Sequence, residues 1–288
     1  MKIPFVKMHG AANDFVVVDH REPFLPEPLE ALTRRLCDRR RGIGADGVLL
    51  VEHDPELDFA MRIFNADGGP AEFCGNGARC VARRAFELGL GRSGRVQFRT
   101  PAGPLLATQG GDGRTIDLSF GRVARPGTPF PIEAAGRTFA GRLILVGVPH
   151  FVTAVERVEW TPLGDWGPAL RHHPRFAPAG TNVDFVARLG PGRVALRTYE
   201  RGVEGETLAC GSGAMAAALA AVADGERSPI VVMTAGGDEL MVAVEPAEEG
   251  YEVSLSGPAV TAYVGEWIES TSQKLSVAAG RAASSGGA

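Results

Sequence analysis

The sequence predicts an α/β fold of the α+β type, built from two similar halves. Strand-like segments outnumber helical ones, and short turns join most of them, which favours antiparallel or mixed sheets over a parallel doubly wound sheet. One motif, Cys-Gly-polar-Gly-Ala, occurs twice, at residues 74–78 and 210–214, each time just before an Ala-rich helical segment. We therefore expect two pseudo-symmetric halves, each a mostly antiparallel or mixed sheet wrapped around a central helix.

The first half shows its elements clearly. In order, they are a strand at 1–7, a turn at 9–14, a strand at 15–19, a helix within 27–39, strands at 48–51 and 58–64, a helix at 78–88 and strands within 95–122. Leu29, Leu32 and Leu36 recur at helical spacing, which predicts the first helix. Gly89 and Gly91 are typical helix-ending residues and predict the end of the second.

The second half repeats this order after a Pro-rich linker at 126–131. Its predicted elements are a strand at 142–146, a Pro-rich loop around 161–179, a strand at 193–199, a helix at 214–223 and strands at 231–233, 240–244 and 251–255. The predicted domains are thus 1–125 and 126–261, and we expect a last strand at about 262–270 to return to the first. The low-complexity tail, 271–288, is predicted to be disordered.

Residues 42–47, Gly-Ile-Gly-Ala-Asp-Gly, match the G-x-G-x-x-G dinucleotide pattern by letter. An arginine run precedes them in place of a buried strand, and a strand-like segment follows in place of a helix, so the context of that pattern is missing. We expect these glycines to let the backbone approach another segment or a ligand closely.

Composition excludes several classes of protein. A net charge of −4 over 288 residues lacks the basic character of a nucleic-acid-binding protein. No apolar run is long enough to span a bilayer and no targeting signal is visible, so we expect a cytoplasmic protein without a membrane partner, whose four cysteines are reduced thiols. The only lysines are Lys2, Lys7 and Lys274, which argues against a cofactor linked through a lysine.

The repeated motif places Cys74 and Cys210 each at a helix N-terminus. Free N–H groups there stabilise a thiolate, so we expect a lowered cysteine pKa, and they can also hold a carboxylate. Two facing sites of this kind suit racemisation without a cofactor, in which one thiolate removes an α-proton and the other thiol returns one from the opposite face. Cys74 and Cys80 lack the paired ligand spacing of a zinc site, and no metal is predicted.

Eight segments closely resemble diaminopimelate epimerases, over about residues 2–267. They are Lys7-Met8-His9-Gly10 with Asn13-Asp14-Phe15, Gly42-Ile43-Gly44-Ala45-Asp46, Arg62-Ile63-Phe64-Asn65-Ala66-Asp67-Gly68, Cys74-Gly75-Asn76-Gly77-Ala78-Arg79-Cys80, Pro149-His150, Gly180-Thr181-Asn182-Val183, Glu200-Arg201-Gly202 and Glu206-Thr207-Leu208-Ala209-Cys210-Gly211. The resemblance implies two pseudo-symmetric α/β halves with the active site in the cleft between them.

The resemblance also implies roles for individual residues. Cys74 and Cys210 would be the acid/base pair that converts LL-2,6-diaminopimelate into the meso isomer, and His150 and Glu200 would support the proton transfers. The implied substrate-binding residues are Asn13, Asn65, Gly75, Asn76, Asn182, Glu200, Arg201, Gly211 and Ser212. No cofactor is implied, and the expected assembly is a homodimer.

Three departures from the family pattern bear on the substrate. Val148 stands where many members have Asn, Gly47 stands where many have Gln, and the segment 200–206 is one residue longer than the commonest form. None touches the cysteines. A racemase for another amino acid therefore stays open as an alternative, as does a non-catalytic or redox-sensing protein of the same fold.

Each candidate residue also has a structural interpretation. Cys80 is expected to pack in the core. His150 could be hydrogen-bonded in a turn, Glu200 and Arg201 could form an ion pair, and Asn13 could serve only the turn.

Overall fold

A computed structural model describes residues 1–71 and 73–268. The elements of the first half are strands β1 (Lys2–Gly10) and β2 (Asn13–Asp19), helix α1 (Glu30–Cys37), strands β3 (Gly47–Glu52) and β4 (Phe59–Asn65), helix α2 (Gly75–Glu87) and strands β5 (Arg95–Thr100), β6 (Gly103–Gln109) and β7 (Thr115–Val123).

The second half follows the same plan. Its elements are strands β8 (Phe130–Ala134), β9 (Arg137–Val146) and β10 (Val148–Ala154), helix α3 (Leu163–Arg171), strands β11 (Asn182–Gly190), β12 (Arg193–Glu200) and β13 (Gly205–Thr207), helix α4 (Gly211–Ala223) and strands β14 (Ile230–Met233), β15 (Glu239–Ala247) and β16 (Gly250–Pro258). Strand β17 (Val260–Ile268) then pairs antiparallel with β1, at the far end of the chain.

Strand pairing shows the pseudo-symmetry directly. The first half runs β17-β1-β2-β3-β4-β5-β6-β7, with parallel pairs at β2–β3 and β4–β5. The second runs β8-β9-β10-β11-β12-β14-β15-β16, with parallel pairs at the matching places, β10–β11 and β12–β14. The predicted mixed-sheet fold class is therefore confirmed. The domain limits stay a prediction, which the return of β17 to β1 supports.

Each sheet wraps around one helix. Helix α2 contacts β1 to β7, and α4 contacts β9 to β12 and β14 to β16. Small side chains allow this close packing: Ala78 and Ala82 of α2 and Ala214 and Ala218 of α4 are fully buried. Antiparallel pairing of β7 with β16 joins the two sheets, with Leu118 opposite Leu255. The fold thereby brings the N-termini of the two central helices together.

The predicted loop at 161–179 is wrong in part, because it contains the nine-residue helix α3. Pro168 lies inside this helix, although proline removes a backbone donor there. Packing outweighs that penalty: Leu163 and Leu170 are buried with Phe185, and Trp166 packs on the same cluster. The predicted linker is also shorter than expected, since β8 begins at Phe130.

The glycines of 42–47 meet neighbouring backbone, as expected. A methyl group on Gly47 would lie 2.5 Å from the Phe64 carbonyl oxygen, and one on Gly42 would overlap the Arg35 carbonyl oxygen. The predicted tail, 271–288, lies outside the described residues. Among the described residues, no helix has the length and apolar character needed to cross a membrane.

Candidate active site

The two motif cysteines cap their helices in the same way. Cys74 precedes α2 with extended backbone (φ −147°, ψ 112°), and its Sγ accepts a hydrogen bond from the Gly77 N–H at 3.4 Å. Cys210 precedes α4 (φ −114°, ψ 111°), and its Sγ accepts from the Gly213 N–H, also at 3.4 Å. The motif therefore folds twice into an N-cap whose side chain is a thiol. Both helices begin three residues earlier than predicted, because the cysteine itself is the cap.

Both caps open onto one cavity of about 510 Å³ between the two halves. The predicted site residues that line it are Asn13, Asn65, Cys74, Gly75, Asn76, Glu200, Cys210, Gly211 and Ser212. The helix N-termini come close together, since a methyl group on Gly211 would lie 3.9 Å from the Gly75 Cα. One small anionic group can therefore reach free N–H groups from both helices.

Burial reverses the expected shift of the thiol pKa values. Loss of hydration raises the pKa of the Cys74 thiol, and N–H groups of Gly77 and Asn76 offset only part of this. Burial raises the pKa of Cys210 further, and the carboxylates of Glu200 and Asp184 add to the rise. The predicted lowering of the two thiol pKa values is therefore wrong for the ligand-free site, because burial outweighs the effect of the helix N-terminus.

Asn13 is held with its amide in one orientation. Its Nδ2 donates to Asp46 Oδ2 at 2.7 Å, and Arg39 holds that carboxylate through a 2.7 Å ion pair. Asn13 Oδ1 then faces the site, 3.5 Å from Cys74 Sγ and 3.4 Å from Asn76 Nδ2. Asn13 is thus more than a turn residue, and Asp46 positions it. In the sequence, only the resemblance of the Gly42–Asp46 segment to the family pointed to Asp46.

Glu200 and Arg201 do not form an ion pair with each other within the described residues. Glu200 lines the cavity and accepts a 2.8 Å hydrogen bond from Thr207 Oγ1. Burial raises the pKa of its carboxyl group. The Arg201 backbone N–H donates to Asn182 Oδ1 at 2.8 Å, while its guanidinium makes no hydrogen bond or ion pair with residues 1–71 or 73–268. That cation is left free to bind an anion.

His150 and Asn182 lie behind the cavity wall. His150 is fully buried, with Nδ1 2.7 Å from Asp184 Oδ2. Asp184 Oδ1 accepts from Thr198 Oγ1 at 2.7 Å. The Asn182 amide donates to the Pro149 carbonyl at 3.1 Å. The predicted direct roles of His150 and Asn182 stay predictions. Asp184, which sequence reasoning missed, joins them in one buried polar network.

Several apolar side chains also line the cavity. Among them are Phe15, Phe64, Phe73, Val203 and Leu208. Gly47, one departure from the family pattern, has no room for a side chain because the Phe64 carbonyl lies against it.

Cys80 does not line the cavity. It is fully buried in the core as expected, and burial raises the pKa of its thiol to about 12.

A family model described as diaminopimelate epimerase matches residues 5–125 and 142–262. These two spans correspond to the two halves and include both motif cysteines. This chain belongs to the diaminopimelate epimerase family. The resemblance seen in the sequence is thus confirmed, and the chain is an isomerase of that family.

Relatives in the diaminopimelate epimerase family match almost end to end. The diaminopimelate epimerase of Moorella thermoacetica is 40% identical over 278 residues, covering 91% of this chain and 98% of the relative. That of Aquifex aeolicus is 39% identical over 276 residues, covering 92% and 98%.

Solved structures share the fold at low sequence identity. A PhzF-family phenazine biosynthesis protein from Bacillus anthracis matches with a TM-score of 0.69 at 14% identity, over 93% of this chain and 100% of its own. A hydroxyproline epimerase from Agrobacterium vitis matches with a TM-score of 0.66 at 19% identity, over 92% of each chain. At such identities the likeness shows the fold alone.

Proposed function

We propose that this chain converts LL-2,6-diaminopimelate into meso-diaminopimelate with two cysteines and no cofactor. The observation that carries the proposal is the pair of thiol-capped helix N-termini opening onto one cavity. Family membership and the names of the relatives support the substrate. In the cell this reaction would supply lysine and peptidoglycan precursors, in the cytoplasm.

The two helix N-termini would hold the α-carboxylate of the substrate. Gly75, Asn76, Gly211 and Ser212 line the cavity where the two helix N-termini come close, so their backbone N–H groups would donate to a carboxylate bound there. As the α-proton leaves, negative charge moves onto this carboxylate, and donors already aimed at it stabilise the transition state. The α-carbon would then lie between Cys74 and Cys210.

Proton transfer would use one thiol on each face of the α-carbon. A thiolate takes the α-proton and becomes a thiol, while the opposite thiol gives its proton to the carbanion and becomes a thiolate. Because burial raises both thiol pKa values in the empty site, the thiolate must form with help from nearby charge, including the α-ammonium group of the bound substrate. Glu200 and His150 would support these transfers.

The distal end of diaminopimelate also carries a carboxylate and an ammonium group. We propose that the free guanidinium of Arg201 binds that carboxylate, with Asn65 on the cavity wall and Asn182 behind it as further polar partners. A planar guanidinium matches a carboxylate through two parallel hydrogen bonds.

The expected assembly is a homodimer, which sedimentation velocity distinguishes from a monomer.

A second candidate is a racemase for another amino acid. Two observations favour it: Gly47 and Val148 stand where many family members have polar side chains, and apolar residues such as Phe64 and Leu208 line the cavity. A panel of amino acids followed by optical rotation separates the candidates, since diaminopimelate is expected to give the highest kcat/KM.

Alanine at either cysteine tests the two-thiol assignment. We expect Cys74→Ala and Cys210→Ala each to lower epimerisation by orders of magnitude, and the double variant to lose little more, because the pair acts as a unit. Cys80→Ala is the matched control, a buried thiol in the same helix that does not line the cavity. Retention of more than about a tenth of the wild-type rate by either single variant would show that the assignment is wrong.

A further inference from the structure

The turn at 201–204, which follows β12, is anchored at both of its ends. At its start, the Arg201 N–H donates to Asn182 Oδ1 at 2.8 Å. At its end, the Glu204 N–H donates to the Glu200 carbonyl at 2.9 Å. These backbone contacts close the turn beside Glu200, which lines the cavity between the two halves.

Glu204 adds a side-chain anchor to a buried cation. Its Oε1 accepts hydrogen bonds from Arg171 Nε at 3.2 Å, from Arg171 Nη2 at 3.0 Å and from the Gly202 N–H at 3.1 Å. Arg171 is only 8% exposed, and no other carboxylate in the described part of the chain pairs with it. A buried arginine is strongly destabilised without its carboxylate. The ion pair therefore ties the turn to Arg171, the last residue of α3.

The backbone next to Arg171 makes room for this pair. A methyl group on Gly180, whose φ is +70°, would lie 1.8 Å from Arg171 Nη1. That nitrogen donates to the Ala179 carbonyl at 2.9 Å. The missing side chain of Gly180 thus admits the guanidinium, whose Nε and Nη2 bind Glu204.

Glu204 takes up this position in spite of its backbone conformation. Its φ of +54° lies in the left-handed region, which favours glycine over any residue with a side chain. The Gly202 N–H and the Arg171 guanidinium lower the pKa of its carboxyl group, so the carboxylate is ionised near neutral pH. A residue that keeps such a conformation while its side chain is bound points to a function for that side chain.

The anchored turn presents an apolar side chain to the cavity. Val203 lines the cavity and is 59% exposed, and Leu208, just after β13, lines it and is 55% exposed. Apolar side chains that are exposed in a cavity gain free energy when the apolar part of a ligand covers them. Diaminopimelate has such a part, the methylene chain between its two amino-acid ends.

We propose that Val203 is a specificity-determining residue that contacts the methylene chain of the substrate, and that Glu204 is the residue that positions it through Arg171. The inference rests on the proposed function and identifies the part of the site that selects long substrates with a distal carboxylate. Arg201 lies in the same turn, so one anchored segment supplies a cation for that carboxylate and an apolar contact for the chain. Both Val203 and Glu204 lie in the segment 200–206, where this chain is longer than the commonest form of the family.

Steady-state kinetics of Val203→Thr with diaminopimelate tests the apolar contact. Threonine is close to valine in shape but replaces a methyl group with a hydroxyl group. We expect KM to rise about threefold to tenfold, because the hydroxyl group loses hydration against the methylene chain. The value of kcat should stay near that of the wild type, because both thiols lie on other elements. Val264→Thr is the matched control, an exposed valine that does not line the cavity, and its KM should equal the wild-type value.

Two variants of Glu204 separate anchoring from backbone conformation. Glu204→Gly suits the positive φ but removes the carboxylate, whereas Glu204→Gln keeps the length of the side chain but removes the charge that pairs with Arg171. We expect each to raise KM about fivefold or more while kcat changes by less than about twofold. Glu252→Gln is the matched control, since it breaks an exposed ion pair with Arg122 and should leave KM unchanged.

The outcomes distinguish this inference from the proposed function. If the wild-type protein epimerises diaminopimelate but Val203→Thr keeps the wild-type KM, the inference is overturned while the reaction stands. This variant changes an exposed side chain, so it decides the question even if the Glu204 variants do not fold. A wild-type KM in both Glu204→Gly and Glu204→Gln would overturn the positioning role. A wild-type protein without activity on diaminopimelate would overturn the proposed function, and this inference with it.

Discussion

At the scale of single residues, the proposed role of Arg201 is to bind the distal carboxylate of the substrate. Its guanidinium is without a partner among the described residues, whereas its backbone is fixed by Asn182. Arg201→Lys keeps the charge but loses the planar fork. We expect KM for diaminopimelate to rise about tenfold or more, as for the loss of one charge-assisted hydrogen bond of about 1.5 kcal/mol.

Arg122→Lys serves as the control for this change, since Arg122 is exposed and pairs with Glu252 on the surface. Its KM should match that of the wild type. If Arg201→Lys left KM unchanged, the guanidinium would not bind the distal carboxylate, and a smaller substrate would be favoured.

Single residues also show which parts of the candidate site could not be predicted from the sequence. The repeated motif identified both cysteines, because short patterns report local structure such as helix caps, whereas the role of Asn13 was implied only by the family resemblance. Short patterns did not reveal that Asp184 contacts His150, since the role of a buried charge is recognised only when its distant partners are known. The pKa of each thiol likewise depends on burial, which the sequence near a cysteine does not determine.

At the scale of elements, the first turn of α4 must stay tightly packed for Cys210 to be placed correctly. A methyl group on Gly213 would lie 2.7 Å from Asp184 Oδ1 and 3.0 Å from Thr198 Oγ1. We expect Gly213→Ala to lower the free energy of unfolding by about 1–3 kcal/mol through overpacking. It should also reduce kcat strongly, because the displaced turn carries the Cys210 cap.

Gly164→Ala is the matched control for a glycine near a helix start. Nothing lies within 4 Å of a methyl group at that position of α3. Alanine favours helix, so urea unfolding should show equal or higher stability there, with unchanged kcat. Wild-type stability and kcat in Gly213→Ala would contradict the account of how Asp184 packs under α4.

Most elements could be predicted from periodicity, and the exceptions have physical reasons. Helices α2 and α4 were predicted from their Ala-rich segments, although each begins three residues before its predicted start because the cysteine itself is the cap. Helix α3 was missed because Pro168 and Gly164 argue locally against a helix, and only burial of Leu163 and Leu170 in the tertiary structure stabilises it. The intrinsic helix preference of a segment predicts its structure poorly where tertiary packing determines that structure.

At the scale of the whole molecule, the internal repeat predicted the two-half architecture. It could not predict that β7 pairs with β16, since that pairing joins segments more than one hundred residues apart and has no local signal. This long-range pairing connects the two sheets, and the Asn76–Ala209 hydrogen bond links the two helix N-termini. Both contacts lie at the junction between the halves, where the candidate site is formed.

The most direct test of the central claim, one thiol on each face of the α-carbon, is epimerisation of LL-diaminopimelate in D₂O. With two separate proton carriers, the proton removed from one face is not the one returned to the other. Early in the reaction, we expect mass spectrometry to find one deuterium at the inverted carbon of the meso product, while unreacted LL substrate retains its protium. Deuterium appearing at equal rates in recovered substrate and product would indicate a single shared base and contradict the two-thiol account.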